Sequence, residues 1–279
     1  LATYGVDNLP TSIGHMWAVG PRNAPTVYNA ALQVAQFWDG RAKDLEEQAG
    51  GPILNPIEMA IPSKEEAVKR IKSIPEYVEL FKKAFPKDKD PVTYENIAKA
   101  IAAFERTLMT PSRFDRFVKG DSKALSDFEK KGLELFIKVG CSNCHNGPNF
   151  GGNAFMRFGQ FADYWRSVMP YVTREVPTIP VDLGRFAVTK KESDMFVFKV
   201  PSLRNITKTY PYFHDGSVWN LEDAVKIMAE TQNGISLKED EVKAIVAFLG
   251  SLTGEIPKHA LELPVLPAST EMTSRPTYR

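Results

Sequence analysis

A mainly α-helical fold, built from two copies of one helical unit with few short strands, is what this sequence predicts, and three observations predict it. Apolar residues recur at helical spacing through most of the chain, strand-like runs are short and rare, and a block of residues near the start returns in the same order near the end. The 279 residues, 43% hydrophobic and 25% charged, suffice for one large domain or two ordinary ones. A net charge of +1, with no basic block at either end, argues against a nucleic-acid or acidic-membrane binder. No stretch approaches the roughly 18–20 apolar residues of a membrane span. Two cysteines are too few for a disulfide framework.

Taken in order, residues 64–83 carry Ala67, Val68, Ile71, Ile74, Val78 and Phe81 as a helical stripe interrupted near Pro75. Residues 95–108 and 241–252 are cleaner amphipathic helices. Residues 125–139 form a helix leading into the cysteines, and 220–230 a helix after the turn Asp215-Gly216. The clearest strand signal is 195–200. Residues 147–199 are weakly periodic and contain Tyr164, Trp165 and Tyr171, and 161–180 has no assigned role. The tail, 257–279, with Pro264 and Pro267, reads as an extended strap.

The repeat sets the domain organisation. Pro25-Thr26-Val27-Tyr28-Asn29 resembles Pro201-Ser202-Leu203-Arg204-Asn205. At the same offset Phe37-Trp38-Asp39-Gly40 matches Phe213-His214-Asp215-Gly216, and Leu45-Glu46-Glu47 matches Leu221-Glu222-Asp223. The closing helices pair Lys99-Ala100-Ile101 with Lys243-Ala244-Ile245 and Phe104 with Phe248, at a shorter offset, so the first copy holds an insertion between Gly50 and Glu95. The expected division is 1–110, 111–256 and the tail 257–279.

Both cysteines lie in Gly140-Cys141-Ser142-Asn143-Cys144-His145, a C-x-x-C-H pattern. Two thiols one turn apart reach the two vinyl groups of one porphyrin, and the adjacent His145 sets an imidazole under the iron, so the pattern reads as a c-type haem attachment site. Three other readings compete. Structural zinc needs two further thiols or imidazoles, and there is no second cysteine pair. A thioredoxin-like dithiol belongs in a βαβ setting. A disulfide leaves His145 unexplained. Covalent haem implies maturation outside the cytoplasm. The opening Leu1-Ala2-Thr3-Tyr4-Gly5 has no initiator Met, charged n-region or apolar h-region, so it does not read as an intact precursor. By the logic of the duplication, a second C-x-x-C-H is expected before residue 1.

At this point the chain resembles the bacterial di-haem cytochrome c peroxidases. The resemblance runs through Pro10-Thr11-Ser12-Ile13-Gly14-His15, Gly20-Pro21-Arg22-Asn23-Ala24-Pro25-Thr26, Gln36-Phe37-Trp38-Asp39-Gly40-Arg41-Ala42-Lys43-Asp44-Leu45, Gly51-Pro52-Ile53, Leu203-Arg204-Asn205 and Pro211-Tyr212-Phe213-His214-Asp215-Gly216. It implies two cytochrome-c-like helical domains with one haem each, the N-terminal one peroxidatic and the C-terminal one accepting electrons. Two haems belong to the complete protein, and one attachment motif is in this chain.

The resemblance also assigns residues. Met228 by spacing alone is a core methionine; the family makes it the thioether ligand opposite His145. A relative that matures a tryptophan-derived cofactor has tyrosine there. His15, by default a loop histidine, matches a removable ligand of the peroxidatic haem. Glu58, in the first-copy insertion, would by itself be a solvated carboxylate; the family makes it the distal acid/base, with Gln48 its polar partner and Phe37 the packed ring of the pocket. An insertion confined to one copy is where a functional difference belongs, which supports Glu58 independently. Trp38, otherwise a core tryptophan, matches an electron bridge between haems. Asn23 and the carbonyls of Thr209 and Pro211 match a calcium site, carried over from the family alone. The expected function is a periplasmic cytochrome c peroxidase acting on hydrogen peroxide. Its electrons come from a small cytochrome c or cupredoxin, and it is a homodimer without nucleic-acid partner or membrane span. The rivals are an electron-transfer cytochrome and the cofactor-maturing relative.

Overall fold

The computed structural model describes residues 1–172 and 181–275. Part of the unassigned 161–180 stretch, residues 173–180, and the last four residues of the tail, 276–279, lie outside the described residues. The chain forms α1 (Leu45–Leu54), α2 (Lys64–Lys72), α3 (Pro75–Ala84), α4 (Tyr94–Glu105), α5 (Arg113–Val118) and α6 (Asp127–Lys138). It continues through β1 (Phe155–Arg157), α7 (Tyr164–Val168), α8 (Phe186–Thr189), β2 (Val197–Lys199), α9 (Leu221–Asn233), α10 (Glu239–Ser251) and α11 (Lys258–Leu261). The strands pair antiparallel, Phe155 opposite Lys199. Among the described residues no helix is long and apolar enough to cross a membrane.

Local chemistry starts these helices. Asp44, Ser63, Thr93 and Asn220 each accept a first-turn N–H, at 2.9, 3.2, 3.1 and 2.8 Å. Ser126 and Glu129 close a capping box on α6. Pro75 opens α3 and thereby splits the 64–83 stripe in two, since a proline is tolerated at a first helical position but not inside one.

The duplication is written into the backbone. Asn29 and Asn205 are both left-handed, at φ 59° and 63°, and each starts a single 3-10 turn, Ala30–Leu32 and Ile206–Lys208. Phe37 and Phe213 are left-handed at 65° and 72°. Gln36 bridges Ala42 as Tyr212 bridges Val218. The two asparagines meet on one hydroxyl: Asn29 Nδ2 and Asn205 Nδ2 lie 2.7 and 2.9 Å from Thr110 Oγ1. All three residues are buried, and the Thr110 hydroxyl oxygen accepts from both amides across the join of the two units.

In the second unit α6 packs on α10 around Phe136, Ile245, Phe248, Leu249 and Leu252. Gly132 makes that approach possible, because a Cβ there would overlap the Ala244 carbonyl. In the first unit Leu45 of α1 packs with Ala102 of α4. The insertion supplies α2 and α3, which bury Phe81 against Val92 and Ile97.

Two expectations change. The 161–180 stretch contains α7, capped by Asp163 and packed through Tyr164 and Val168 on Ala224 and Ile227 of α9. The tail is not wholly extended: α11 buries Ala260 against Tyr28 and Leu108 before the strap proper begins. The strap then crosses to α2, where the Ser274 N–H donates to Ser73 Oγ at 3.1 Å.

Candidate functional site

Gly140, left-handed at φ 95°, ends the run of α6 and starts the single turn Cys141–Asn143. Both thiols are free and half-buried. Cys141 packs on the α6–α10 core, together with Phe150, Leu203, Leu221 and Val225. Burial pushes the Cys141 thiol up to about 11 and raises Cys144 as well. Among the described residues no three His, Cys, Asp or Glu side chains cluster to hold a metal ion. The sheet is a two-stranded antiparallel pair, so the βαβ setting of a redox dithiol is not met there either.

His145 is buried, with Nδ1 3.1 Å from the Phe150 carbonyl. Assigning the proton to Nδ1 satisfies that carbonyl and leaves the Nε2 lone pair for a metal, the arrangement by which a neighbouring acceptor orients a ligating imidazole. Burial lowers its pKa and keeps the ring neutral. The loop passes close beneath: Gly151, at φ 126°, would drive a Cβ into the Pro201 carbonyl. Met228 is half-buried on α9, one and two turns beyond Val225 and Leu221, which share the cluster holding Cys141. Paired thiols, a neutral oriented imidazole and a thioether on the same helix face fit a c-type haem.

The first-unit candidates fall into two neighbouring groups. Ile13 bridges Val19, so His15 sits exposed at a hairpin tip. Its backbone N–H donates to the Glu58 carbonyl at 2.8 Å. Gly14 is required there, since a Cβ would strike the Ile57 carbonyl and approach Glu58 Cα to 2.8 Å. Glu58 is half-buried and Oε1 accepts from Asn55 Nδ2 at 2.9 Å. Phe37 lies against Gly51 of α1, one turn after Gln48, and the Arg41 guanidinium covers its ring at 3.5 Å. The loop after α1 folds back on the helix end through Met59 N–H to Pro52 O and Ile61 N–H to Ile53 O, at 3.2 and 2.9 Å, which joins the two groups.

Between the units, Trp38 Nε1 donates to the Asn23 carbonyl at 2.9 Å, and its ring lies 6.3 Å from His214 at 71°. The Lys199 N–H donates to the Trp38 carbonyl at 2.7 Å. His214 is stacked on Phe198 at 4.4 Å, fully buried, and neither ring nitrogen has a protein partner. An imidazole so placed suits a polar group brought by a cofactor, such as a porphyrin carboxylate. Sequence reasoning gave His214 no role, although the repeat register that aligns it with Trp38 was the available signal. Asn23, Thr209 and Pro211 share one neighbourhood around residues 8 and 9. Asn23 Nδ2 donates to Leu9 O at 3.0 Å, and Asn8 Nδ2 donates to the Tyr210 carbonyl at 2.8 Å. Arg22 clamps the interface nearby, bonding Asp182 at 2.6 and 2.8 Å and Asp39 at 2.5 Å.

Residues 1–123 match the family described as di-haem cytochrome c peroxidase, and residues 129–253 match cytochrome c. The chain is 54% identical to cytochrome c551 peroxidase of Pseudomonas aeruginosa, over 99% of this chain and 77% of that protein. It is 50% identical to the cytochrome c551 peroxidase of Nitrosomonas europaea, over 99% and 78%. A solved MauG-like protein associated with microbial copper homeostasis superposes with a TM-score of 0.76 at 28% identity, over 91% of this chain and 82% of that one. The diheme peroxidase BthA of Burkholderia thailandensis shares the fold, with a TM-score of 0.68 at 19% identity over 89% and 77%. With a haem-attachment motif, two cytochrome-c-related units and these relatives, the chain belongs to the di-haem cytochrome c peroxidase family and is a haem peroxidase.

Proposed function

We propose that the protein reduces hydrogen peroxide to water in the periplasm, with electrons from a small cytochrome c or cupredoxin that enter at the C-terminal unit and pass to the N-terminal one. Bound haem supplies the redox-active iron at both ends of that path. His145 through Nε2 and Met228 through its thioether would hold the iron of the C-terminal haem, a ligand pair that favours electron entry by raising the potential. Glu58 would take a proton from hydrogen peroxide and return it to the departing oxygen, one carboxylate serving as base and then acid. Gln48 hydrogen-bonds the same oxygens and Phe37 keeps water out of the pocket. His15 is the removable ligand, and its hairpin the two-state element whose minor form admits peroxide. Trp38 carries electrons between the units. Asn23 Oδ1 and the Thr209 and Pro211 carbonyls offer the oxygen-only set that calcium prefers. The units run 1–110 and 111–256, with 257–279 as the tail, and the working form is a homodimer.

The observation that carries this reading is the 2.8 Å hydrogen bond from the His15 N–H to the Glu58 carbonyl, because it ties the removable ligand and the acid/base to one movement. Glu58→Gln in the haem-loaded protein is expected to lower peroxide turnover with reduced donor about 10²–10⁴-fold, while the spectrum of the Met-ligated haem stays the same. Unchanged turnover in the variant would overturn the Glu58 assignment, whereas absence of peroxide turnover from the wild type would favour the electron-transfer cytochrome. Met228 disfavours the cofactor-maturing relative, and Met228→Leu is expected to abolish the thioether-to-iron charge-transfer band.

A further inference from the structure

Beyond these assignments, the aromatic contact that begins at Trp38 continues into a part of the chain with no role so far. From Trp38 the ring of His214 is 6.3 Å away, and from His214 the ring of Tyr164 is 5.3 Å away. Tyr164 belongs to α7, and 5.3 Å further stands Trp165. Tyr164 is 5% exposed, yet its hydroxyl is fully provided for: the Asp215 carboxylate oxygens lie at 2.8 and 2.9 Å and Ser217 Oγ at 3.0 Å. Asp215 is in turn held by the Ser217 N–H at 3.1 Å.

This pairing has a chemical consequence. Burial, with the carboxylate beside it, raises the phenol pKa, and Tyr164 keeps its proton at physiological pH. A phenol can still lose an electron if its proton has an acceptor at hydrogen-bond distance, since the oxidised phenol is a strong acid. Asp215 is such an acceptor, already aligned. A tyrosine needed only for packing would be matched by phenylalanine, and the buried carboxylate would then be a pure cost.

We infer that Tyr164, with Asp215 as its proton acceptor, is a reserve electron source for the peroxide reaction. When donor protein is lacking, one electron leaves Tyr164 by way of the His214 and Trp38 contacts toward the peroxide-oxidised haem. The phenolic proton moves to Asp215, leaving a neutral tyrosyl radical beside a neutral carboxylic acid. An electron later supplied by the donor, with the proton handed back from Asp215, restores the phenol. The inference rests on the reading of Trp38 as the electron bridge.

The test is electron paramagnetic resonance on haem-loaded protein frozen after mixing with peroxide in the absence of donor. Wild type is expected to show a radical whose signal narrows when its nine tyrosines are ring-deuterated. Tyr164→Phe is expected to lose that signal and keep its donor-supported turnover. Asp215→Asn, which keeps the shape and removes the base, is expected to lower the radical yield several-fold, and it carries the test should Tyr164→Phe fold poorly. A tyrosine signal that persists undiminished in these variants, or its absence from wild type, overturns the inference. Trp38→Phe separates this from the bridge reading: full donor-supported turnover in that variant overturns the bridge, whereas the radical assignment stands or falls with Tyr164→Phe.

Discussion

Helices α4 and α10 hold the same place in the two copies and live in different surroundings. In the second unit Ile245 and Phe248 are 1% and 0% exposed beneath α6; in the first their counterparts Ile101 and Phe104 are 36% and 42% exposed. Among the described residues α4 packs on α1, which leaves Ile101 and Phe104 exposed. The difference extends one position along, where Leu249 lies in the second-unit core and Glu105 replaces it in the first. An apolar stripe states that a helix has a face to bury; whether that face is buried depends on a neighbour the stripe does not specify.

The comparison can be broken most strongly from the second unit. Phe248 is the centre of a ring cluster with Phe114, Phe136 and Phe150, at 5.6, 5.2 and 6.0 Å. Phe248→Ala is expected to cost about 3–5 kcal/mol in denaturant unfolding. Gly132→Ala should cost about 3 kcal/mol by forcing α6 away from the Ala244 carbonyl. An unchanged midpoint would mean that the α6–α10 approach is not tight.

Glu105 sharpens the contrast with the opposite sign. It is buried, Oε2 has no partner, and burial pushes its carboxyl up to about 6 from 4.5. Because the folded chain holds the proton more tightly, the unfolded chain binds fewer protons between those values, and stability falls as pH rises through that window. Glu105→Gln is therefore expected to stabilise the protein by about 2 kcal/mol above pH 6, a gain that disappears below pH 4.5, as melts across pH will show. Phe104→Ala comes last. Its exposed ring should cost less than about 1 kcal/mol, although the same change at Phe248 is the most damaging of the set.

Much of this was legible beforehand, for identifiable reasons. The long helices carry several turns of apolar spacing and side-chain caps, so their period survives local noise. The cysteine motif is legible because thioether chemistry demands adjacent residues at one spacing. Helix α1 was not, since Gly50, Gly51 and Pro52 read as breakers; it persists because Asp44 caps it and Leu45 and Ala49 are buried. Helix α7 is five residues long, too short to show a period at all. Among the proposed site residues, Glu58 was reached through the family resemblance, with the one-copy insertion as support. His214 and Tyr164 were not, because their meaning lies in rings and oxygens brought from other parts of the chain.

What the amino-acid order determined by itself is therefore whatever depends on neighbours along the chain: the helical class, the repeat and the thiol pair with its histidine. Tertiary structure alone decided which apolar faces are covered, that Asn29 and Asn205 meet at Thr110, and that His15 hangs from the Glu58 carbonyl. The division follows from the range of the forces. Backbone sterics and capping act over a few residues, whereas burial and ring contact act between segments that only the folded chain brings together.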